Sequence, residues 1–284
     1  MNKNSIVGID LGGTKISAGI VTGNELNKIS SKKINASGSV EEVLEDLFSV
    51  TDELMNNAVS SIGIGVPGLV DTERGIVFDV MNIPSWKEVP LQKHMQDRYH
   101  LPIYINNDAN CFALGEYYFG KGKGYHSVIG LTIGTGLGSG LILNKKLFTG
   151  KNFGAGEFGM IDYMDHVYEY YASGQYFNNV YQIDGEVVFK DAKKGDREAL
   201  KMYEEMGMHL GNAIKTILYA LDVELIILGG SVRHAYPYFS ETMWQQIKTC
   251  AFKKSAENLK IEISELNNSG ILGAAALAFD EQHL

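Results

Sequence analysis

Four acids and three glycine-rich turns carry most of the chemistry this sequence could do. In IVGIDLGGTK (residues 6–15), Asp10 stands near the end of an apolar run and is followed by Gly12, Gly13, Thr14 and Lys15. Backbone N–H groups in such a turn can point at phosphate oxygens, and glycine removes the Cβ atoms that would hold a phosphate off. A carboxylate beside a phosphate is repelled unless a cation lies between them, so Asp10 implies Mg2+, held directly or through water. A hairpin that merely needs glycine would look the same. A second turn, IGTGLGSG (residues 133–140), supplies Gly134, Thr135, Gly136 and Gly138 with the same logic but without acid or cation. It is neither a Walker A loop nor a Rossmann fingerprint: it lacks the terminal Gly-Lys-Ser/Thr, and Ser139 fills the third glycine position. The third, LIILGGSV (residues 225–232), ends an apolar run on Gly229 and Gly230. These would let a flat adenine or ribose approach the backbone, or simply turn a strand into a helix.

Asn107-Asp108 closes one short apolar run and opens another segment of helical character. Asp at such a point is first of all a helix N-cap. Its functional reading is a general base, taking a hydroxyl proton as the oxygen attacks a phosphoryl group, with Asn107 fixing the substrate. Glu157, in Gly154-Ala155-Gly156-Glu157, and Glu169, ahead of Ser173-Gly174, suit polyol recognition because carboxylate oxygens accept strong hydrogen bonds from sugar hydroxyls. Solvated surface acids are the plain alternative. Trp86 could wall a sugar pocket or fill a core.

These residues need strands to end beside turns. Ile6–Leu11 and Ile16–Val21 read as two strands joined by the first glycine turn. Ser39 with Glu42 forms a capping box before Val43, Leu44, Leu47 and Leu54 at helical spacing. A strand over Ser61–Val66, a helix over Leu91–Tyr99, a strand over Ile103–Ile105 and a helix running to Tyr118 follow. Beyond Gly120–Gly124, read as a linker, come strands at Val128–Ile133 and Leu141–Leu143. A long helix spans Arg197–Leu221, followed by a buried strand at Val223–Leu228 and helices at Phe239–Ala251 and Leu272–Ala278. The two glycine hairpins superpose with a constant offset of 122, Gly8 on Gly130 and Gly12 on Gly134. Such a repeat predicts two copies of one α/β lobe. The expected division is residues 1–120, joined by a C-terminal helix 271–284, and residues 121–270.

Composition narrows the class. The 284 residues carry 25 bases and 34 acids, a net charge of −9, which argues against nucleic acid as the main partner. The 45% hydrophobic content is that of a globular chain, and no apolar run has the length of a membrane span. Two cysteines, Cys111 and Cys250, form neither a disulfide framework nor a metal spacing. The N-terminal MNKNSIVGID has no signal-type apolar core, so a cytoplasmic location is expected. Glycine, at 32 residues, is well above the average share and clusters where apolar runs end, as many tight turns beside strands require.

Taken in order, IVGIDLGGTK, GVPGLVD (Gly65–Asp71), NIPSW (Asn82–Trp86), NNDAN (Asn106–Asn110), IGTGLGSG, GAGEFG (Gly154–Gly159), EYYASG (Glu169–Gly174), LIILGGSV and GILGAAALA (Gly270–Ala278) resemble the ROK family of sugar kinases and related repressors. That family lies inside the larger actin/hexokinase-like ATPase fold. The resemblance implies a two-lobed α/β chain with a ligand cleft between the lobes, ATP and Mg2+ as cofactors, and a hexose as substrate. It implies Asp108 as base, and Asn107, Glu157 and Glu169 on the sugar hydroxyls, with Asn82 and Gly68 near the sugar. Gly12–Lys15 and Gly134–Gly138 would hold the phosphates, and Gly229 and Gly230 the nucleoside. A homodimer is expected from the resemblance alone. The pattern departs at one place. Many family members have a zinc site made by a histidine after the GAGE-type loop and a cysteine cluster; here Met160 stands at the histidine, no cysteine lies between Cys111 and Cys250, and the insert shrinks to Ile161–Tyr168. No structural zinc is therefore expected, and packing of Tyr163, Tyr168, Tyr170 and Tyr171 could hold the insert. The family histidine also touches the sugar, which leaves the hexose open; His166 is the nearby substitute.

The leading expectation is an ATP-dependent hexose kinase acting on the 6-OH of glucose or a related hexose. N-acetylmannosamine, N-acetylglucosamine, fructose and β-glucosides are the alternative acceptors. A sugar-sensing transcriptional regulator is the reading from another class. Against it, the first phosphate strand starts at Ile6, so no preceding helix-turn-helix is expected. A sugar-binding protein without catalysis is the third, disfavoured by the presence of both Asp10 and Asp108.

Overall fold

The computed structural model describes residues 5–80 and 82–280. In chain order its elements begin with β1 (Ser5–Leu11), β2 (Lys15–Thr22), β3 (Glu25–Lys33), α1 (Val40–Asp52) and β4 (Val59–Val66). A small sheet of β5 (Leu69–Asp71), β6 (Ile76–Phe78) and β7 (Glu88–Val89) is followed by α2 (Leu91–Tyr99), β8 (Ile103–Asn107) and α3 (Asp108–Tyr118). Next come β9 (Val128–Ile133), β10 (Leu137–Leu143), β11 (Lys146–Leu147), a hairpin of β12 (Asp162–Tyr163) and β13 (His166–Val167), then α4 (Tyr168–Ala172), α5 (Tyr176–Tyr181), α6 (Gly185–Lys193) and α7 (Arg197–Leu221). The chain closes with β14 (Leu225–Gly229), α8 (Tyr236–Ile247), α9 (Lys253–Asn258), β15 (Lys260–Ile263) and α10 (Ser269–Asp280). The expected C-terminal helix thus starts at Ser269; residues 281–284 lie outside the described residues.

Two five-stranded mixed sheets have matching orders, β3-β2-β1-β4-β8 and β11-β10-β9-β14-β15. In the first, β1 pairs antiparallel with β2 and parallel with β4, which pairs parallel with β8. In the second, β9, β14 and β15 are parallel neighbours. The offset of 122 therefore maps β1 onto β9 and β2 onto β10, and the repeat in the sequence is a repeat in the fold.

The chain groups into two compact units, Met1–Gly124 with Gly140–Ala155 and Glu265–Leu284, and Tyr125–Ser139 with Gly156–Ser264. The division passes through β10. In the first unit, α1 buries Val43, Leu44, Leu47 and Val50 against the sheet core of Val7, Ile9, Ile62 and Ile64. The capping box at its start is complete, with Ser39 Oγ accepting from the Glu42 N–H and Glu42 Oε2 from the Ser39 N–H at 2.8 Å. Helix α10, apolar nearly all round, buries Ile271–Ala278 against α3, β1 and β4. In the second unit, Gly207 and Gly211 of α7 meet the backbone of α8 closely.

Three local readings change, and one open choice is decided. Strand β10 starts at Leu137, four residues early, because its glycines extend as strand rather than turn. Helix α8 starts at Tyr236 and ends at Ile247; Pro237 fits its first turn. Residues 120–124 are not an open linker: the Gly120 and Gly122 N–H groups donate to Glu116 O, and the Lys121 N–H to the buried Glu116 Oε2 at 3.1 Å. Trp86 is fully buried in the core.

Candidate active site

In the first unit, three parallel strands bring their carboxyl ends to one edge. Asp10 of β1 pairs with Gly65 of β4, and Gly65 with Asn106 of β8. A Cβ on Gly65 would stand 3.8 Å from Asp108 Cα and 3.1 Å from Cys111 Sγ. The Cys111 thiol is pushed far up by burial, then by the charges of Asp108 and Asp10, which marks both acids as its neighbours. The sheet thus gathers Asp10 and Asp108 although 97 residues separate them in the chain (108 − 10 − 1).

The first glycine turn is closed by the Gly12 N–H donating to Lys15 O at 2.9 Å. Gly13 lies against the Asn82 side chain; a Cβ there would come within 2.8 Å of Asn82 Cγ, so any larger residue would displace Asn82 or the turn. Thr14 and Lys15 are exposed. Asp10 is half-buried, with its carboxylate against Gly270 in the first turn of α10, where the helix dipole favours negative charge. Burial raises its pKa and Lys15 opposes the rise. Among the described residues no three His, Cys, Asp or Glu side chains group to hold a metal. A Mg2+ at Asp10 would draw its other ligands from phosphate oxygens and water, the coordination that Mg2+ favours, so the donor set fits.

Asn107, rather than Asp108, is the N-cap of α3: its Oδ1 accepts from the Ala109 N–H at 2.8 Å and the Asn110 N–H at 3.4 Å. Its Nδ2 donates to Gly68 O at 3.0 Å, which joins two of the residues expected near a sugar. Gly68 holds φ +106°. Asn106 locks the bend from below, its Oδ1 accepting from the Asn107 N–H at 2.8 Å and from Asn110 Nδ2 at 2.9 Å. Asp108 is exposed as the first helical residue, and its Oδ1 accepts from the Ala109 N–H at 2.8 Å. The sequence signal for the Asn106–Asn110 pair was present in NNDAN but pointed only to its middle.

In the second unit, the second glycine turn is closed by the Gly134 N–H donating to Gly136 O at 3.0 Å. Gly138 O accepts from Thr132 Oγ1 at 3.2 Å, and Thr135 is exposed. Glu169 is no solvated surface acid: it is half-buried, lies against Gly136, and accepts from the Leu137 N–H at 2.9 Å. Glu157 stands ahead of the short turn Phe158–Met160 and keeps solvent access. Partial burial and then the Glu169 charge raise its pKa, so the two carboxylates share one neighbourhood. Gly230 has φ +76°, and a Cβ on it would run into the Ile133 backbone; only glycine fits both demands. Met160 is half-exposed, and His166 stacks on Tyr170 at 3.9 Å between ring centroids.

Beside Gly134, Thr135 and Ser231 opens a cavity of about 400 Å3, also lined by Gly174, Phe189 and Val232. That is the volume range of small-molecule sites. Asp184 and Glu186 lie on its wall. Sequence reading missed these two acids and Phe189 because α6 was not recognised; the only signal was Asp184, the helix N-cap, whose side chain accepts from the Glu186 N–H at 2.7 Å.

The ROK family model matches residues 6–281. The chain is 27% identical to the glucokinase of Thermotoga maritima over 313 residues, covering 98% of each chain. It is 29% identical to the xylose repressor of Caldicellulosiruptor bescii, covering 98% of this chain and 78% of the repressor. The crystal structure of a ROK family glucokinase from Streptomyces griseus, in complex with glucose and AMPPNP, matches with a TM-score of 0.81 at 27% identity, covering 96% of this chain and 98% of that one. Among the described residues no helix is long and apolar enough to cross a membrane. The chain therefore belongs to the ROK family and has the two-lobed actin-like ATPase fold of its sugar kinases.

Proposed function

We propose that the protein is an ATP-dependent hexose kinase that transfers the γ-phosphoryl of ATP to the 6-OH of glucose or a related hexose. The observation that carries the proposal is the gathering of Asp10 and Asp108 at one edge of three parallel strands. Asp108 takes the proton of the acceptor hydroxyl as its oxygen attacks phosphorus. Asn107, Asn82 and Gly68 set the acceptor beside it, and Glu157 and Glu169 accept hydrogen bonds from further sugar hydroxyls. Lys15 and the turns Gly12–Lys15 and Gly134–Gly138 offset phosphate charge, through N–H groups other than those of Gly12, Gly134 and Leu137, which are bonded within the protein. Asp10 would hold Mg2+, which when bound neutralises charge on the transferring phosphoryl group. The cavity beside Gly134, with Gly229 and Gly230 at the end of β14, takes the nucleoside, and Asp184 and Glu186 suit ribose hydroxyls.

N-acetylmannosamine, N-acetylglucosamine, fructose and β-glucosides remain acceptors to be tried, and a homodimer is proposed from family membership alone. A second reading, a sugar-responsive regulator, is favoured by the match to the xylose repressor; the charge of −9 opposes it. Sugar-dependent ADP release across a panel of these sugars tests the kinase reading, and duplex DNA binding at physiological salt tests the regulator.

We further propose that no structural zinc is present, on the strength of Met160 and the missing cysteines. In place of metal ligands, the hairpin β12–β13 is packed by rings, Tyr163 on Tyr168 and His166 on Tyr170. Elemental analysis of the purified protein is expected to find well under one zinc per chain; one equivalent that survives dialysis against a chelator would contradict the proposal.

A further inference from the structure

We infer that the aromatic cluster between the hairpin β12–β13 and helix α7 positions Glu169, with Tyr163 as the positioning residue for acceptor binding. The inference rests on the assignment of Glu169 to the acceptor. Helix α4, which carries Glu169, has five residues and no side-chain cap; a helix so short has no stability of its own. Something else must fix it.

One side of it is tied to the second glycine turn. Glu169 Oε2 accepts from the Leu137 N–H at 2.9 Å, and just past the helix the Gly174 N–H donates to Gly134 O at 2.7 Å. The other side is tied to the 25-residue α7 through rings. Tyr163 stacks on Tyr168, the residue before Glu169, with centroids 4.4 Å apart and planes 19° from parallel. The Tyr163 hydroxyl accepts from Asn212 Nδ2 at 3.0 Å, which leaves its proton for His209 Nδ1 at 3.1 Å. His209 is suited to accept, because burial pushes its pKa down against a smaller opposing effect of Glu205. Tyr168 reaches α7 itself, its hydroxyl 2.8 Å from Thr216 Oγ1, and Tyr171 packs on the His209 ring at 5.0 Å. Tyr163 therefore braces Tyr168 from one element while α7 holds both. Removing its ring frees the start of α4, and with it the Glu169 carboxylate. The glycine turn keeps its own closing bond from Gly134 to Gly136 and should hold phosphate as before.

Steady-state kinetics of Tyr163→Ala against wild type, with thermal melting as a check of folding, tests this. The expected result is a sugar KM raised about three- to tenfold, the size of one aromatic pair, with kcat and the KM for ATP within about twofold of wild type. That split reports lost binding that is equal in the ground and transition states. Tyr163→Phe, which keeps the ring on Tyr168, should return the sugar KM to within about twofold. If the alanine variant does not fold, Tyr163→Leu carries the same expectations with more of the apolar volume kept. A folded alanine or leucine variant with an unchanged sugar KM overturns the inference alone, as does a parallel rise in both KM values or a phenylalanine variant as damaged as leucine. A wild-type protein that phosphorylates no sugar in the panel overturns the kinase reading and this inference together.

Discussion

Asp108→Asn is expected to lower kcat by about 10²- to 10⁴-fold, the range for removal of a general base, and to leave sugar binding nearly intact. The substitution isolates proton transfer because the structure separates it from folding. Capping of α3 falls to Asn107, whose Oδ1 takes the Ala109 and Asn110 N–H groups. An asparagine at 108 keeps an oxygen for the Ala109 N–H and keeps the side-chain shape. The site is exposed, and substitutions at such sites usually change stability by no more than about 0.5 kcal/mol. Melting temperature and sugar affinity by calorimetry should match wild type while turnover collapses. A near-normal kcat would remove Asp108 as the base.

Asp10→Asn is expected to lower kcat/KM by at least about 10²-fold, since charge stabilisation by a bound divalent ion is worth several kcal/mol and each 1.36 kcal/mol is tenfold. The same substitution should make the ligand-free protein more stable at neutral pH. Burial raises the folded-state pKa of Asp10 above its unfolded value, and Lys15 offsets only part of the rise. A group with a raised folded pKa gives stability that is present below the unfolded pKa and is lost as pH climbs through the folded value. At pH 7 the ionised, partly desolvated carboxylate therefore costs stability, and a neutral amide removes that cost. Melting curves should place the variant above wild type at pH 7, with the gap closing as the pH falls to the acid range where Asp10 is protonated. A variant that is less stable at pH 7, or one that keeps kcat/KM, would contradict the account of Asp10. The opposition of the two effects is what a functional carboxylate held for a ligand, rather than for the fold, should display.

What could be seen in the sequence was whatever local rules decide. The capping box at Ser39 and Glu42, the apolar face of α7 from Arg197 to Leu221, and the doubled glycine hairpin all appear in the structure where the residues put them. The matching sheet orders follow from that doubling. Elements whose residues serve edges or packing were not visible. Strand β3, ELNKISSKK, is mostly exposed and reads as loop because an edge strand has one partner and little to bury. Helices α4 and α5 are too short for a helical period and are held by rings and by α7; α6 is as long as α2 but lay outside the elements read from the sequence. Cavity walls at Asp184, Glu186 and Phe189 went with them. Glutamate 169 was marked by its place beside Ser173-Gly174, yet its bond to the Leu137 N–H joins residues 32 apart and has no local signature. Likewise Asn107 reads as a ligand to a substrate, and its bond to Gly68 became visible only with the end of β8 beside the turn before β5.

The most direct measurement of the central claim is a coupled assay of ADP release, run with ATP and Mg2+ over glucose, the N-acetyl hexosamines, fructose and a β-glucoside. The account predicts that at least one of these sugars is phosphorylated with stoichiometric ADP release, and that release without sugar is negligible. ADP release that ignores every sugar, or no release with any of them from a folded protein, would contradict it.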